Sequence, residues 1–369
     1  MDTALRPVFF AHYVPGLPKL IPLMEVLGGV MWTDERGIAR AMRQRAPHLA
    51  CRRFRRSSSR YVSRCALDME GDVFIGANSH PYFFNRVNGP RVQVFHGVSS
   101  KGFSAQWRNT RYFDLCLLAG ERMRRDFERA GLLETVRCEV VGYIPSDHLV
   151  RGPHDVEGFR RAHDLDPSAP TVLYAPTWSG LSSFNDHGLE IVRAVPREWN
   201  LVVKLHPWTI RRREAPRMIP AVQEEIAGRP HAAMLPPDTE PTLAMVAADI
   251  LVGDHSSVCE EFLLLDRAVV FFDHLHGRAD LDRETRALIE RGDWSDLHRC
   301  GPVVRSGEDL AEALSAMQRS PETFAEERHR MRDFVFHRPD GPVAERAAEA
   351  IRRIAEEMRG QVFGQRCFQ

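Results

Sequence analysis

Short apolar runs recur along the whole chain and alternate with longer helical stretches, and this alternation restricts the fold more than any other feature of the sequence. Runs rich in β-branched and aromatic residues, bounded by Gly, Pro or Asn, are typical of buried strands. The predicted strands are residues 8–14, 72–76, 92–95, 113–118 and 138–141 in the first half, and 171–174, 201–205, 232–235, 249–252, 268–272 and 302–305 in the second. Strands that alternate with helices predict an α/β protein with two parallel-sheet domains.

The 369 residues are expected to divide at a segment rich in proline. Pro153, Pro167 and Pro170 interrupt this segment, as is typical of a connection between domains. The final helical stretch is amphipathic, so it is expected to pack on a domain surface. The predicted organisation is a first domain at residues 1–150, a linker at 151–170, a second domain at 171–343 and a returning C-terminal helix within 344–369.

The composition excludes several protein classes. Apolar residues make up 43% of the chain, and 50 basic residues balance 50 acidic ones, so neither a disordered chain nor a protein that coats nucleic acid is expected. The seven cysteines include no C-x-x-C pair, which argues against a zinc ribbon or a disulfide framework and favours a reducing compartment. The sequence shows neither a signal-peptide pattern nor an apolar run near the ~18 residues of a membrane span.

Ten arginines and no acidic residue lie between positions 36 and 64, a local excess of positive charge that the overall neutrality hides. This arginine-rich segment is predicted to form an anion-binding surface. Its candidate contacts are Arg40, Arg43, Arg52, Arg53, Arg55 and Arg56. A solvated face, partly paired with acidic residues elsewhere, is the alternative that the sequence leaves open.

Lysine is scarce, since only three of the 50 basic residues are Lys, and two of the three lie in segments with other candidate site residues. The first such segment follows the predicted strand 92–95 and contains His96, Gly97 and Lys101. Glycine allows close approach of a ligand, the histidine can accept a proton, and the lysine can bind phosphate. A structural histidine is the alternative.

Two further predicted strands end in polar residues. Thr177 follows the strand 171–174, while Lys204 and His206 lie at the end of the strand 201–205. Pro207 stops the second strand and is expected to direct His206 outward. The carboxyl ends of parallel strands are the usual ligand site in an α/β sheet, so these side chains are candidates for a common crevice.

The sharpest segment contains Asp254, Ser256, Ser257, Glu260 and Glu261, between the strand 249–252 and a predicted helix. The N–H groups and the dipole at such a helix start favour phosphate, and the two serine hydroxyls add donors. Glu261 is a candidate acceptor for ribose hydroxyls. The alternative is an ordinary capping box.

The sequence contains none of the common nucleotide fingerprints. It has no G-x-x-x-x-G-K-[ST], G-x-G-x-x-G or G-x-S-x-G motif, and no D-x-D pair to hold a divalent ion. His274 and His276 lack supporting ligands in the sequence. We therefore expect no cofactor and no metal requirement.

Taken together, the motifs resemble those of the CDP-glycerol glycerophosphotransferase family, enzymes that prime or polymerise teichoic acids and related capsular polymers. They occur in the family's order over residues 92–350. They are His96-Gly-x-x-x-Lys101, Tyr174-Ala-Pro-Thr177, Lys204-Leu-His-Pro207, Asp254-x-Ser-Ser-Val258 and Asp340-Gly.

The resemblance implies a GT-B fold, with two Rossmann-like domains facing a central cleft. It also implies that a hydroxyl of the acceptor attacks the distal phosphorus of CDP-glycerol and releases CMP, an EC 2.7.8 type of transfer. Carried over by position, the family's catalytic histidines become His96 and His206. The expected donor-binding residues are Lys101, Thr177, Lys204, Asp254, Ser256, Ser257 and Glu261.

The resemblance implies an acceptor that is polymeric or linked to a polyprenyl diphosphate, and no nucleic-acid partner. Such lipids lie in an anionic membrane surface, which gives the arginine-rich segment a role as an acceptor or membrane surface. The expected location is cytoplasmic or peripheral on the inner face of the cell membrane.

The sequence departs from the family pattern at several positions, so it is compatible with more than one activity. Val98 and Ser99 follow His96-Gly97 where the family has Thr-Pro, and His255 replaces a tyrosine. The transferred group is therefore glycerol phosphate, another polyol phosphate or a sugar 1-phosphate. The sequence is also compatible with a nucleotide-sugar glycosyltransferase of capsule synthesis, with a nucleotide-sugar epimerase and with a non-catalytic nucleotide-binding partner.

Overall fold

The computed structural model describes residues 5–95, 97–98, 107–211, 217–237, 239–281, 283–291 and 294–361. These residues form two compact units. Unit 1 contains the described residues within 5–98, 107–148 and 333–361, and unit 2 contains those within 149–332.

The sheet of unit 1 consists of seven parallel strands in the described part of the chain. The strands are β1 Pro7–Ala11, β2 Val30–Thr33, β3 Cys51–Arg53, β4 Val73–Gly76, β5 Arg91–Val94, β6 Leu115–Leu118 and β7 Arg137–Val140. Their order is β3-β2-β1-β4-β5-β6-β7, and the register places Phe9 opposite both Met31 and Ile75. The direction of winding reverses between β1 and β4, which makes that crevice the switch point where such sheets bind ligands.

The sheet of unit 2 repeats this topology with six parallel strands among the described residues. The strands are β8 Thr171–Tyr174, β9 Asn200–Val203, β10 Ala232–Met234, β11 Ile250–Gly253, β12 Ala268–Phe272 and β13 Val303–Val304. The order β10-β9-β8-β11-β12-β13 puts its switch point between β8 and β11. The central strands are buried on both faces, which explains why they read as continuous apolar runs.

Helices connect the parallel strands. The α-helices are α1 Leu17–Leu27, α2 Arg36–Arg45, α3 Ser59–Leu67, α4 Pro81–Phe84, α5 Glu121–Arg129, α6 Ser146–Arg151, α7 Val156–Ala162, α8 Phe184–Ala194, α9 Pro207–Arg211, α10 Ile219–Ala227, α11 Thr242–Ala247, α12 Ser257–Phe262, α13 Arg283–Arg291, α14 Trp294–Leu297, α15 Gly307–Arg319, α16 Ala325–Val335 and α17 Val343–Glu357. Short 3-10 helices lie at Val14–Gly16, Trp107–Tyr112, Ser179–Leu181, Leu263–Leu265, His298–Cys300 and Pro321–Phe324. Within the described ranges, every helix is too short or too polar to cross a bilayer.

The C-terminal helix α17 completes the core of unit 1, as the amphipathic pattern predicts. Its residues Val343, Ala347 and Ile351 are fully buried in one cluster with Leu20 of α1 and Phe9 of β1. The main-chain N–H groups of Val343 and Ala344 donate to the Asp147 carboxylate at 3.0 and 2.8 Å. A carboxylate at this position satisfies two N–H groups that a helix start leaves without intrahelical partners.

The local pattern of apolar residues predicts most of the strands, but it misses two of them. β2 and β3 were not predicted, because β3 is three residues long inside the arginine-rich segment and β2 is a four-residue run directly after two glycines. The proline-rich segment 151–170 contains α7, which Asp155 caps and whose Phe159 is buried. These residues belong to unit 2 in the structure.

Candidate active site

Three of the predicted segments lie side by side at the carboxyl edge of the unit 2 sheet. Strands β9, β8 and β11 are neighbours in that order. Lys204 and His206 follow β9, Thr177 follows β8, and Asp254 follows β11. The segments therefore flank the switch point between β8 and β11, the usual ligand site of this topology.

Asp254 joins two of these segments. Its carboxylate is almost fully buried and accepts a hydrogen bond from the Thr177 main-chain N–H at 2.8 Å. It also accepts from the Ser183 N–H at 2.8 Å and from the Ser183 hydroxyl at 2.9 Å. These contacts hold the loop after β8 in position. Asp254 is also one of the predicted donor-binding residues.

Ser256 and Ser257 begin helix α12. Ser256 is its N-cap, and the Ser256 hydroxyl accepts from the Val258 N–H at 3.4 Å. Glu260 is fully buried and lies four residues after the cap, whereas the acidic residue of a capping box lies three residues after it. Ser257 and Glu261 are partly exposed at the same edge.

Lys204 is turned toward the protein. Its side chain is buried, and Nζ donates to the carbonyl oxygens of Leu205 and Pro237, both at 2.8 Å. An ammonium has three N–H donors, so these two bonds use most of its capacity. Lys204 thus ties the loop after β10 to the end of β9.

His206 is held in one tautomer. Its Nδ1 accepts a hydrogen bond from the Trp208 main-chain N–H at 3.1 Å. A neutral imidazole whose Nδ1 accepts carries its proton on Nε2, so His206 is a hydrogen-bond donor at Nε2.

Two tryptophans that the sequence analysis did not single out lie beside this histidine. The Trp178 ring is stacked on His206 with centroids 5.8 Å apart, and the Trp208 ring is 6.3 Å from Trp178. Trp208 is 40% exposed, which is unusual for so large an apolar side chain. Trp178 lies four residues after β8 and Trp208 five residues after β9, and this position near two strand ends is the signal that identifies them.

A group of buried histidines lies behind the Asp254 loop. The His255 ring centroid is 6.3 Å from that of His274 and 6.0 Å from that of His298, and the Trp294 ring is 4.7 Å away. Burial lowers the pKa of His274 to about 4, and burial also lowers the pKa of His298. These two rings are therefore neutral at physiological pH and act as packing groups.

The candidate residues His96 and Lys101 lie outside the described residues. In unit 1, Gly97 and Lys19, the first lysine of the chain, line a cavity of about 10 Å³. The Lys19 side chain is buried, and its Nζ lies 5.2 Å from the centroid of the Tyr143 ring. A buried ammonium near the end of β5 was not predicted, because Lys19 is far from the motif in sequence.

The arginine-rich segment presents its charged side chains to solvent. All ten arginines are exposed, including Arg40 and Arg43 on α2, and Arg52, Arg53, Arg55 and Arg56 at and after β3. The Arg52 guanidinium lies over the Trp32 ring at 5.9 Å. Within the part of the chain that the structure describes, no carboxylate lies within 4.0 Å of any of the ten. The alternative of a face paired with acidic residues is therefore not observed among these residues.

Comparisons with known proteins give a family match for most of the chain. The model of the CDP-Glycerol:Poly(glycerophosphate) glycerophosphotransferase family matches residues 57–353. No curated protein sequence matches the chain.

Solved structures show the fold. A structure of the wall teichoic acid polymerase TagF with CDPG has a TM-score of 0.69 at 15% identity, over 96% of this chain and 90% of that chain. The UDP-GlcNAc 2-epimerase from Neisseria meningitidis bound to UDP-GlcNAc has a TM-score of 0.61 at 12% identity, over 96% and 100%. A glycosyltransferase from Rickettsia africae ESF-5 has a TM-score of 0.56 at 12% identity, over 97% of this chain and 100% of that chain. The predicted GT-B class, with two Rossmann-like parallel sheets, is confirmed.

Proposed function

The chain belongs to the CDP-glycerol:poly(glycerophosphate) glycerophosphotransferase family, and from that premise we propose that it transfers a polyol phosphate from a CDP-activated donor to an acceptor hydroxyl. The observation that carries this proposal is the row of Thr177, His206 and Ser256 at one edge of the unit 2 sheet. The donor is CDP-glycerol or a related CDP-polyol, the transferred group is its polyol phosphate, and CMP is the leaving group.

Unit 2 binds the donor in this proposal. The switch point between β8 and β11 supports it, because nucleotides bind at this place in doubly wound sheets. Ser257 and Glu261 are partly exposed there, and in this proposal they contact the phosphates and the ribose. The exposed Trp208 ring and the neighbouring Trp178 ring offer a platform on which a cytosine base can stack.

His206 stabilises the phosphate that leaves. The transfer forms a bond between the acceptor oxygen and the distal phosphorus, and it breaks the bond from that phosphorus to the bridging oxygen, which leaves with CMP. Negative charge develops on the bridging oxygen, and a donor directed at it lowers the barrier. The tautomer of His206, with its proton on Nε2, supports this role. Asp254 and Lys204 act as positioning residues, because both are bound to the protein main chain.

Unit 1 binds the acceptor, and His96 takes the proton of its hydroxyl. A histidine near neutral pH is the usual general base for such a step, and Lys101 contributes positive potential. The arginine-rich segment supports an acceptor that carries phosphate, whether a polyprenyl-diphosphate-linked primer or a growing polymer, at an anionic membrane surface. Ten exposed guanidinium groups, with no carboxylate within 4.0 Å among the described residues, favour phosphate oxygens as partners.

The deciding experiment is incubation of the protein with CDP-glycerol, other CDP-polyols and nucleotide-sugars, with and without lipid-linked or polymeric acceptors, and identification of the nucleotide released. Release of CMP that depends on both a CDP-polyol and an acceptor is the expected result. Release of UDP or CMP from a sugar donor would identify a glycosyltransferase. Binding of CDP-glycerol without turnover of any donor would identify a nucleotide-binding partner.

A further inference from the structure

Three side chains with metal-binding atoms converge at the carboxyl edge of the unit 1 sheet. His12 follows β1, Asp34 follows β2, and His80 lies four residues after β4. Strands β2, β1 and β4 are neighbours, and the winding reverses between β1 and β4. The cluster therefore spans the switch point of unit 1, where this topology leaves a crevice for a ligand.

Asp34 is the centre of this cluster. Its carboxylate is 3% exposed, and its two oxygens lie 2.8 and 3.0 Å from His12 Nδ1. The second oxygen is 3.7 Å from His80 Nε2. One ligand atom from each of the three residues lies within 4.8 Å of the others.

We propose that His12, Asp34 and His80 bind a divalent transition-metal ion of the zinc class. Two imidazole nitrogens and one carboxylate are a common ligand set for such ions, with metal–ligand distances of about 2.0 to 2.2 Å. Ligands arranged tetrahedrally at that distance are about 3.3 Å apart. The Asp34 oxygens lie 2.8 to 3.7 Å from the two histidine nitrogens, which brackets this value.

The environment of each ligand fits the assignment. His80 is 9% exposed. His80 packs against Phe10, with ring centroids 4.8 Å apart, which fixes the direction of Nε2. The His12 side chain is 46% exposed, so the fourth position of a tetrahedral ion opens to solvent. Sites with three protein ligands and one open position are those that bind and activate a further molecule.

The main chain around Asp34 is held in place. The Ser57 hydroxyl donates to the Asp34 carbonyl oxygen at 2.6 Å, and the Thr33 hydroxyl accepts from the Glu35 N–H at 3.0 Å. The first bond also brings the loop that carries Arg55 and Arg56 to this edge. A cation beside these arginines would attract an anionic oxygen to the open coordination position.

The sequence predicted no metal, because its ligand motifs were sought at short spacing. The three ligands are separated by 22 and 46 residues, and strand order alone brings them together. The proposal concerns binding of the ion and does not depend on the transferase reaction.

The test is a titration of the chelator-treated full chain with Co²⁺ and Zn²⁺. We expect one equivalent to bind, with the visible absorption of tetrahedral Co²⁺, which Zn²⁺ then displaces. His12→Ala is the deciding variant, because this side chain is half exposed and its loss leaves the core intact. It should weaken binding by at least about 100-fold, and Asp34→Asn and His80→Ala should do the same.

Two control variants test whether other histidines of the chain bind the ion. His48→Ala removes an exposed histidine of unit 1 that is bonded to Glu25, and His274→Phe alters the buried histidine group of unit 2. Both should bind the ion as the parent chain does. Absence of stoichiometric binding, or full affinity in His12→Ala, would overturn the proposal and leave His12 and Asp34 as a hydrogen-bonded pair only.

Discussion

The main-chain N–H of Trp208 donates to Nδ1 of His206, so the neutral imidazole carries its proton on Nε2. This relationship joins the end of β9 to the start of α9, and Pro207 between the two residues fixes the turn. The proposed role of His206 as a donor to the leaving phosphate depends on this tautomer.

His206→Ala is expected to lower turnover with CDP-glycerol by about 100- to 1,000-fold, because a donor directed at the developing negative charge is lost. The dissociation constant of the donor should change little. Steady-state CMP release and calorimetry measure the two quantities. Trp208→Ala keeps the main-chain N–H that sets the tautomer, so it should weaken donor binding more than it lowers turnover at saturation. Equal losses in both quantities for His206→Ala would indicate a structural role instead.

His96→Ala is expected to lower turnover by about 10² to 10⁴-fold while the donor still binds, because the variant lacks the group that accepts the acceptor's proton. The assay is CMP release at saturating donor and acceptor. His48→Ala, an exposed histidine of the same unit, serves as the control and should retain full activity. Unchanged turnover in His96→Ala would remove the proposed base.

Asp254→Asn is expected to reduce the free energy of unfolding of unit 2 by about 2 to 4 kcal/mol, because hydrogen bonds to a buried carboxylate are strong. In the variant, the NH₂ group of the amide would replace one accepting oxygen and would face other hydrogen-bond donors. Urea denaturation followed by tryptophan fluorescence measures this change. Ser183→Ala removes a hydroxyl that bonds both Asp254 and the buried Tyr174 hydroxyl, and it should cost about 1 to 2 kcal/mol. A stability of Asp254→Asn equal to that of the parent would show that the carboxylate does not hold the loop.

The buried His274 is expected to make unit 2 less stable as the pH falls from about 6.5 to about 4. Its folded pKa of about 4 lies below the ordinary value of 6.5, so the unfolded chain binds more protons in this window and stability rises with pH. The contribution is up to about 3 kcal/mol. His187 and Arg278 nearby act with burial, while Asp186 and Asp273 act against it.

The measurement for His274 is urea denaturation at several pH values, for the parent chain and for His274→Phe. The parent should lose more stability than the variant between pH 6.5 and pH 4, since the other titrating groups are common to both. Parallel curves for the two proteins would contradict the assignment.

Arg55→Ala with Arg56→Ala is expected to weaken binding to anionic vesicles by about 30-fold, at about 1 kcal/mol for each arginine. Co-sedimentation with phosphatidylglycerol vesicles at low salt measures the effect, and added salt should reduce it. Arg193→Ala with Arg197→Ala removes the same charge from unit 2, where both residues pair with Glu225, and should change vesicle binding little. Binding that ignores the anionic lipid content would exclude a membrane role for the segment.

Local sequence patterns identified much of this protein. Strands such as Thr171–Tyr174 and Ala268–Phe272 were predicted at their observed bounds, because strands buried on both faces must be continuously apolar. The positions of Thr177, His206 and Ser256 at strand ends also followed from the sequence, because Pro207 and the serine cap mark where regular structure stops and starts. The exposed arginines followed from their number and from the absence of acidic neighbours.

Tertiary structure decided what the sequence pattern does not contain. The Asp254 carboxylate accepts from main-chain N–H groups and Lys204 Nζ donates to carbonyl oxygens, and no local pattern in the sequence contains these contacts. His12, Asp34 and His80 carry no motif, yet they meet at one edge of the sheet. The physical reason is the same in both cases: which strand ends become neighbours depends on strand order, and the crossover helices set that order through packing over the whole sheet.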